Sequence, residues 1–195
     1  MSLPLDSIPS GRYTVFMKQK DIALGTRTGI LDAACRVVLD KGVNALTLDS
    51  TAQEAGVSKG GLLYHFPSKN RLIEGMIERL VRSFDLALER ELAKHNGDWL
   101  AAYINASFIS DPDYNQLSSA LSAAIANNPE LLKPLQDHFV EWQKKAEASA
   151  PSPEVGTIIR LTMDGLWLSD LLGFAPPTPA MRKKMLKVLM EMINK

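Results

Sequence analysis

The sequence has few of the residues that build disulfides and metal centres. Among 195 residues there are one cysteine and three histidines, so a disulfide framework is excluded and a cysteine-based metal site is not expected. His65, His95 and His138 lie on different segments, and none has a spacing that would place two ligands on one helix face. A Gly-x-Ser-x-Gly elbow and a phosphate-binding loop are also absent from the sequence. We therefore expect no metal, no cofactor and no catalytic residues.

Long hydrophobic runs and an excess of one charge are lacking too. No apolar run reaches the roughly 18 residues that span a bilayer, and the first residues do not resemble a signal peptide. This predicts a cytoplasmic protein with no membrane partner. The formal net charge is +0. Residues 1–71 nevertheless hold nine basic and six acidic side chains, and such local positive charge is what phosphate contacts require.

Helical spacing of apolar residues dominates the chain, and we find no strand pattern. The spacing and the turn residues predict helices over 27–42, 47–56, 58–66, 68–94, 98–109, 114–126, 129–149, 153–173 and 179–194. Pro134 should kink or delay the seventh of these. Residues 1–25 are expected to form a loose arm, with at most a short helical turn near residues 16–24. The predicted fold class is all-α.

Residues 47–66 resemble two short helices around a tight turn. Thr47 and Ser58 are suitable N-caps, and Gly56 can adopt the left-handed conformation that ends a helix. This layout is that of a helix-turn-helix, whose second helix enters the major groove of DNA. An ordinary αα-hairpin explains the turn alone equally well.

The residues that follow the turn favour the DNA-binding interpretation. Lys59, Tyr64, His65 and Lys69 place hydrogen-bond donors on and just after the second helix. Gly60 and Gly61 remove side-chain bulk, although glycine is a poor helix former. A helix used only for packing would not favour such a pair.

The segment Ala55-Gly56-Val57-Ser58-Lys59-Gly60-Gly61-Leu62-Leu63-Tyr64-His65-Phe66-Pro67-Ser68-Lys69 resembles the DNA-binding signature of TetR-type transcriptional regulators. The resemblance covers about residues 27–75. It implies an arm (1–25), a three-helix DNA-binding domain (26–70) and a helical effector-binding and dimerisation domain (71–195). Two positions depart from the family pattern. Leu63 replaces a tyrosine that often touches DNA, and Thr51 replaces an apolar residue.

The resemblance and the motif together give a set of expected DNA contacts to a double-stranded, palindromic operator. Lys59, Gly60 and Gly61 are expected to face base edges, and the other residues are expected to contact the backbone or cap the helix. The full set is Thr28, Thr47, Ser58, Lys59, Gly60, Gly61, Tyr64, His65 and Lys69.

The last two predicted helices are more apolar than one small domain can bury, which predicts a homodimer through a four-helix interface. The resemblance implies the same arrangement. The expected interface residues are Leu161, Leu168, Leu172, Met181, Met185, Leu189 and Met192. The alternative is that both helices are interior helices of a monomer.

Aromatic residues of the second half suggest an apolar pocket for a small-molecule effector of unknown identity. The candidates are Phe84, Trp99, Tyr103, Phe108, Phe139, Trp142, Asp164 and Trp167. Each of them could equally be an ordinary core residue. The resemblance implies a repressor that a ligand releases from DNA. The alternatives are a helical adaptor or architectural protein without a specific effector, and an enzyme.

Overall fold

The computed structural model describes residues 10–109, 117–122 and 129–194, with only the backbone described for residues 10–24 and Pro129. These ranges contain nine α-helices and no strand. The helices are α1 (Ser10–Lys41), α2 (Leu48–Ala55), α3 (Lys59–His65), α4 (Lys69–Lys94), α5 (Trp99–Phe108), α6 (described over 117–122), α7 (Lys133–Ser149), α8 (Pro153–Leu172) and α9 (Pro179–Ile193). Short 3₁₀ turns span Val43–Ala45 and Pro129–Leu132. The predicted all-α class is confirmed.

The first helix is longer than predicted. α1 begins at Ser10 and continues without a break to Lys41, so the expectation of a loose arm over residues 1–25 is wrong from residue 10 onwards. No proline follows Pro9 in this stretch, and the cost of Gly25 and Gly29, about 1 kcal/mol each, does not stop a long helix. Residues 1–9 and most of the helix predicted over 114–126 lie outside the described residues.

The chain divides into two compact units, Met1–Leu72 and Ile73–Lys195. The predicted boundary after residue 70 lies two residues earlier. The core of the first unit is built by the inner faces of α1 and α3. Ile30, Val37 and Leu46 are fully buried in it, and so is Leu62.

Local capping explains where the short helices begin and end. The Thr47 hydroxyl accepts a hydrogen bond from the Ser50 backbone N–H at 3.0 Å. Ser58 does the same for Gly61 at 3.1 Å. Gly56 ends α2 with φ 67°, a left-handed conformation that glycine adopts without steric cost. The predicted turn therefore forms as expected.

The second unit packs α5 among α7, α8 and α9. Leu100, Ile104 and Ile159 are fully buried in its core. Pro134 lies in the first turn of α7, where a missing N–H costs little, so the helix is delayed to Lys133 after the 3₁₀ turn. Ser152 and Gly173 cap the two ends of α8, which lies within the predicted range 153–173.

Candidate functional site

α3 lies on the surface of the first unit and is anchored by its inner face. Leu62 is fully buried and Phe66, directly after the helix, is 2% exposed. The guanidinium of Arg27 on α1 lies over the Phe66 ring, 5.1 Å from its centroid. The opposite face, with Lys59, Gly60 and Tyr64, is exposed. The helix is thus held firmly while one face remains accessible.

Tyr64 is the most exposed large side chain on this face, at 81%. Its ring meets that of His65 edge-on, with 5.1 Å between the centroids. A tyrosine carries both an apolar ring and a hydroxyl that can donate or accept a hydrogen bond. In this position it can reach a partner that approaches α3.

Gly60 is not required by the folded chain, whereas Gly61 lies close to the Ser58 side chain that caps α3. A Cβ on Gly60 would meet nothing within 4 Å, and one on Gly61 would meet only the Ser58 Oγ at 3.3 Å. Both residues are helical, so no left-handed backbone explains them either. For Gly60, close approach of a partner to the bare backbone is the remaining physical reason for a costly helix residue.

The positive charges of the motif differ in their surroundings. Lys59 forms an exposed ion pair with Asp49 on α2, with 2.9 Å between Nζ and Oδ1. Lys69 is exposed at the first residue of α4, where the Ser68 hydroxyl accepts from the Arg71 backbone N–H at 3.2 Å. The helix dipole adds positive potential there. Both lysines can reach a phosphate, Lys59 after leaving Asp49.

The hydroxyls expected to contact DNA are partly engaged in capping. Thr47 Oγ1 donates to Ser50 Oγ at 2.9 Å and also accepts from the Ser50 backbone. Ser58 is the cap of α3. Thr28 is exposed on α1. On α3, Lys59, Gly60 and Tyr64 are exposed and Gly61 and His65 are half-buried, whereas Thr47 and Ser58 serve local structure first.

An ion-pair cluster that the sequence analysis missed joins α1 to α2. Arg36 Nε donates to Glu54 Oε1 at 2.9 Å, and Lys41 Nζ lies 3.7 Å from Glu54 Oε2. The hydrogen bond from Arg36 lowers the pKa of the Glu54 carboxyl. A separation of eighteen residues gives no local signal, so only the packing of the two helices shows the pair.

The second unit contains a cavity of about 170 Å³ between α4, α5, α7 and α8. Six of the eight predicted pocket residues line it: Phe84, Tyr103, Phe139, Trp142, Asp164 and Trp167. The Phe84 and Trp142 ring centroids are 4.9 Å apart. Arg90 and Met163 also line the cavity, and the sequence analysis did not select them.

Trp99 and Phe108 are not among the residues that line this cavity. Trp99 stacks on Tyr103 with 4.9 Å between ring centroids, and Phe108 packs against the core. These two residues support the wall from behind, so their assignment as direct pocket residues is a correction that the packing requires.

The acidic group of the cavity has a partner. Asp164 accepts a hydrogen bond from Arg160 one turn earlier on α8, and Arg160 also donates to the Gln143 side chain of α7. Burial raises the pKa of the Asp164 carboxyl, and the Arg160 charge opposes that shift. The carboxylate is therefore held as part of an ion pair rather than as an isolated charge.

One face of α8 is exposed and apolar along its whole length. Ile158, Leu161, Leu168 and Leu172 are between 43% and 54% exposed, and Gly165, in the middle, is exposed as well. These positions are three and four residues apart in alternation. This is the spacing of a helix seam that packs against another helix.

α9 shows the same spacing through Met181, Met185, Val188 and Met192, of which Met181 and Val188 are exposed and Met185 and Met192 are half-buried. Val188 is 55% exposed, whereas Leu189 is 5% exposed and belongs to the core of the unit. The assignment of Leu189 to an interface is therefore wrong for this packing. Val188, Ile158 and the 65% exposed Phe174 were missed.

The described residues are 10–109, 117–122 and 129–194. In those ranges, no helix is both long enough and apolar enough to cross a bilayer. Nor do three or more His, Cys, Asp or Glu side chains gather there as a metal would need.

The DNA-binding motif and the helical second unit define a helix-turn-helix regulator with a carboxyl-terminal helical domain. Residues 30–76 match the family described as "Bacterial regulatory proteins, tetR family", and residues 97–194 match "Tetracyclin repressor-like, C-terminal domain". The chain belongs to the TetR family and is a transcriptional regulator. The resemblance seen in the motif is thereby confirmed. Members of this family are generally regulators rather than enzymes.

Several characterised relatives are similar over most or part of the chain. The transcriptional regulator EthR of Mycobacterium tuberculosis is 24% identical over 195 residues, covering 90% of this chain and 88% of EthR. The transcriptional repressor KstR2 of Rhodococcus jostii is 37% identical over 60 residues, covering 31% and 28%.

Solved structures share the fold. A TetR-family member from Streptomyces coelicolor has a TM-score of 0.68 at 24% identity, covering 86% of this chain and 98% of that one. The multidrug-binding protein EbrR, crystallised with malachite green, has a TM-score of 0.65 at 22% identity, covering 86% and 97%.

Proposed function

We propose that this regulator is a dimeric repressor that binds a palindromic operator through α3 and leaves it when a small molecule occupies the cavity of the second unit. The observation that carries the proposal is the exposed side of α3, where Gly60 has no structural role of its own and Tyr64 is almost fully exposed.

For DNA, we assign Lys59, Gly60 and Gly61 to base edges in the major groove. Tyr64, His65, Lys69, Thr28 and Thr47 are assigned to the phosphate backbone, and Ser58 to the cap that orients α3. Phosphate contacts of this kind fix the register, and base-edge contacts give the sequence preference. The DNA partner in turn supports a cytoplasmic location.

For the dimer, the exposed seams of α8 and α9 are the proposed interface. A single helix-turn-helix reads few bases, and a two-fold dimer places two copies on half-sites about one helical turn apart. Two helices from each subunit would form a four-helix bundle, with Gly165 allowing close approach at its centre. The residues are Ile158, Leu161, Leu168, Leu172, Met181, Met185, Val188 and Met192.

For the effector, the aromatic cavity is the proposed site. α4 starts at Lys69 and its residues between Leu80 and Arg90 line the cavity, so one helix joins both functions. In one conformation of the dimer, the two α3 helices would have a spacing that does not fit the operator. A ligand that binds this conformation better than the other would shift the equilibrium away from DNA. EbrR, which shares the fold, is described as multidrug-binding.

Selection from a random double-stranded DNA pool tests the proposal. Enrichment of a palindrome by the full-length protein, lost in a Tyr64→Ala/Lys69→Ala double variant, is the expected result. Enrichment of no sequence, with uniform binding to all DNA, would instead support an architectural protein. No binding at all would support an adaptor.

A further inference from the structure

We propose that the effector is a carboxylate with a small aromatic or alkyl body, held with its apolar part in the cavity and its charge at Arg90. The inference rests on the proposed function, because it names the ligand class of the same cavity.

The first observation is the unmatched charge of the cavity wall. Asp164 and Arg160 neutralise each other, and the Gln143 side chain holds Arg160 in place. Arg90, on α4, lines the cavity but makes no hydrogen bond or ion pair with any described residue. Among the described residues of the wall, the unbalanced charge is therefore positive, which favours an anion and disfavours a cation.

The second observation is an unused donor. The indole N–H of Trp167 is buried and has no hydrogen-bond partner among the described residues, although Trp167 lines the cavity. An indole nitrogen can only donate, and a buried donor without an acceptor is unfavourable. A ligand oxygen would remove that cost, and carboxylates are strong acceptors.

The third observation concerns where the charge would lie. Arg90 is exposed, so it stands at the open side of the cavity, whereas Phe84, Phe139 and Trp142 supply apolar rings inside. A carboxylate at Arg90 keeps part of its hydration and avoids the full cost of burying an ion. The apolar body fills a space of about 170 Å³, similar to the engineered cavities of about 150 Å³ that accept benzene.

Three probes with the same phenylpropyl skeleton test this: 3-phenylpropionate, 3-phenylpropanol and 3-phenylpropylamine. Isothermal titration with the full-length protein should give a dissociation constant for the acid about tenfold lower than for the alcohol or the amine. Arg90→Gln should reduce the affinity for the acid to that for the alcohol, and Trp167→Phe should reduce the affinity for the acid several-fold. Arg82→Gln is the matched control, since Arg82 is exposed on the same helix and does not line the cavity.

Equal affinity for the three probes, tighter binding of the amine, or an unchanged acid affinity in Arg90→Gln would overturn the assignment. So would the absence of binding by all three at millimolar concentration. Operator release is measured separately by fluorescence anisotropy. An acid that binds through Arg90 without releasing DNA would leave the ligand class standing and contradict the proposed release, so the two failures are distinguishable.

Discussion

Gly156 on α8 lies so close to Ala146 on α7 that a Cβ at Gly156 would be 2.3 Å from the Ala146 carbonyl oxygen and 2.6 Å from its carbonyl carbon. Ala146 is fully buried. The contact is between two backbones, so no flexible side chain can move aside. The spacing of α7 and α8, which both line the cavity, is set at this crossing.

Gly156→Ala should therefore destabilise the second unit by about 3 kcal/mol or more, because one helix must move away from the other. Urea unfolding followed by circular dichroism measures this. Gly29→Ala on α1 is the control: a Cβ there meets nothing within 4 Å, and it should stabilise that helix by up to about 1 kcal/mol. Equal stability of the two variants would show that the crossing is looser than described.

Thr51→Val should stabilise the first unit by about 1 kcal/mol. Thr51 is fully buried, and its hydroxyl has no partner among the described residues. Replacing it with a methyl group removes an unsatisfied polar atom at nearly constant volume. Ser50→Ala is the comparison. It should destabilise the first unit, because Ser50 Oγ donates a hydrogen bond to the Ala45 carbonyl at 2.6 Å. Thermal unfolding of both variants measures the two changes in stability. A loss of stability in Thr51→Val would reveal a partner for the hydroxyl.

Gly60→Ala should separate stability from DNA binding. The free protein has room for the methyl group, so the variant should be more stable by about 0.5–1 kcal/mol. Affinity for the selected operator should nevertheless fall at least about tenfold, because the added methyl group occupies space that the duplex needs. Anisotropy titration and thermal unfolding on the same sample provide the two values. Unchanged operator affinity would remove Gly60 from the DNA interface.

Asp49→Asn should raise the affinity for DNA, and more for the selected operator than for other sequences, because Lys59 is assigned to base edges. The change removes a negative charge from the motif and frees Lys59, which pairs with Asp49 at 2.9 Å. The slope of log K against log salt should become steeper, because one negative charge leaves the DNA-facing motif. Lys69→Gln should change the slope by a similar amount in the opposite direction.

Glu89→Gln is the control for the charge change, since Glu89 is exposed on the second unit. A control slope that changes as much as that of Asp49→Asn would show a general charge effect instead of a contact by Lys59.

Leu168→Glu should convert a dimer into monomers. Leu168 is 43% exposed in the single chain, so the substitution leaves the core intact, but two glutamates would face each other across a two-fold interface. Sedimentation velocity at micromolar concentration detects the change. Leu39→Glu is a matched control, being 41% exposed on α1. A wild-type monomer, or a Leu168→Glu dimer, would contradict the proposed interface.

Much of the fold was predictable because local chemistry sets helix ends. Thr47, Gly56, Ser58 and Gly173 act at the positions that their side chains or backbone freedom favour. The extension of α1 back to Ser10 was not predicted, because its first part has no sustained apolar period and helix continuation there depends only on the absence of a stop signal.

Some functional surfaces could be predicted from the sequence more completely than others. The α3 residues come from one continuous segment, so their closeness in space follows from helix geometry. The cavity and the α8–α9 face combine segments distant in sequence. Leu189 and Val188 are neighbours in the chain, yet one is core and the other exposed. The neighbouring residues in the sequence do not show which side of an apolar helix is covered by other helices.

By itself the sequence determined an all-helical regulator with a helix-turn-helix, since capping residues, glycines and donors act within a few positions of one another. Only the tertiary structure decided which apolar residues face outwards, which aromatic rings line the cavity and that Asp164 is neutralised by Arg160. Adjacent residues on a helix point about 100° apart, so these assignments depend on how distant helices pack, and that packing is a property of the whole chain.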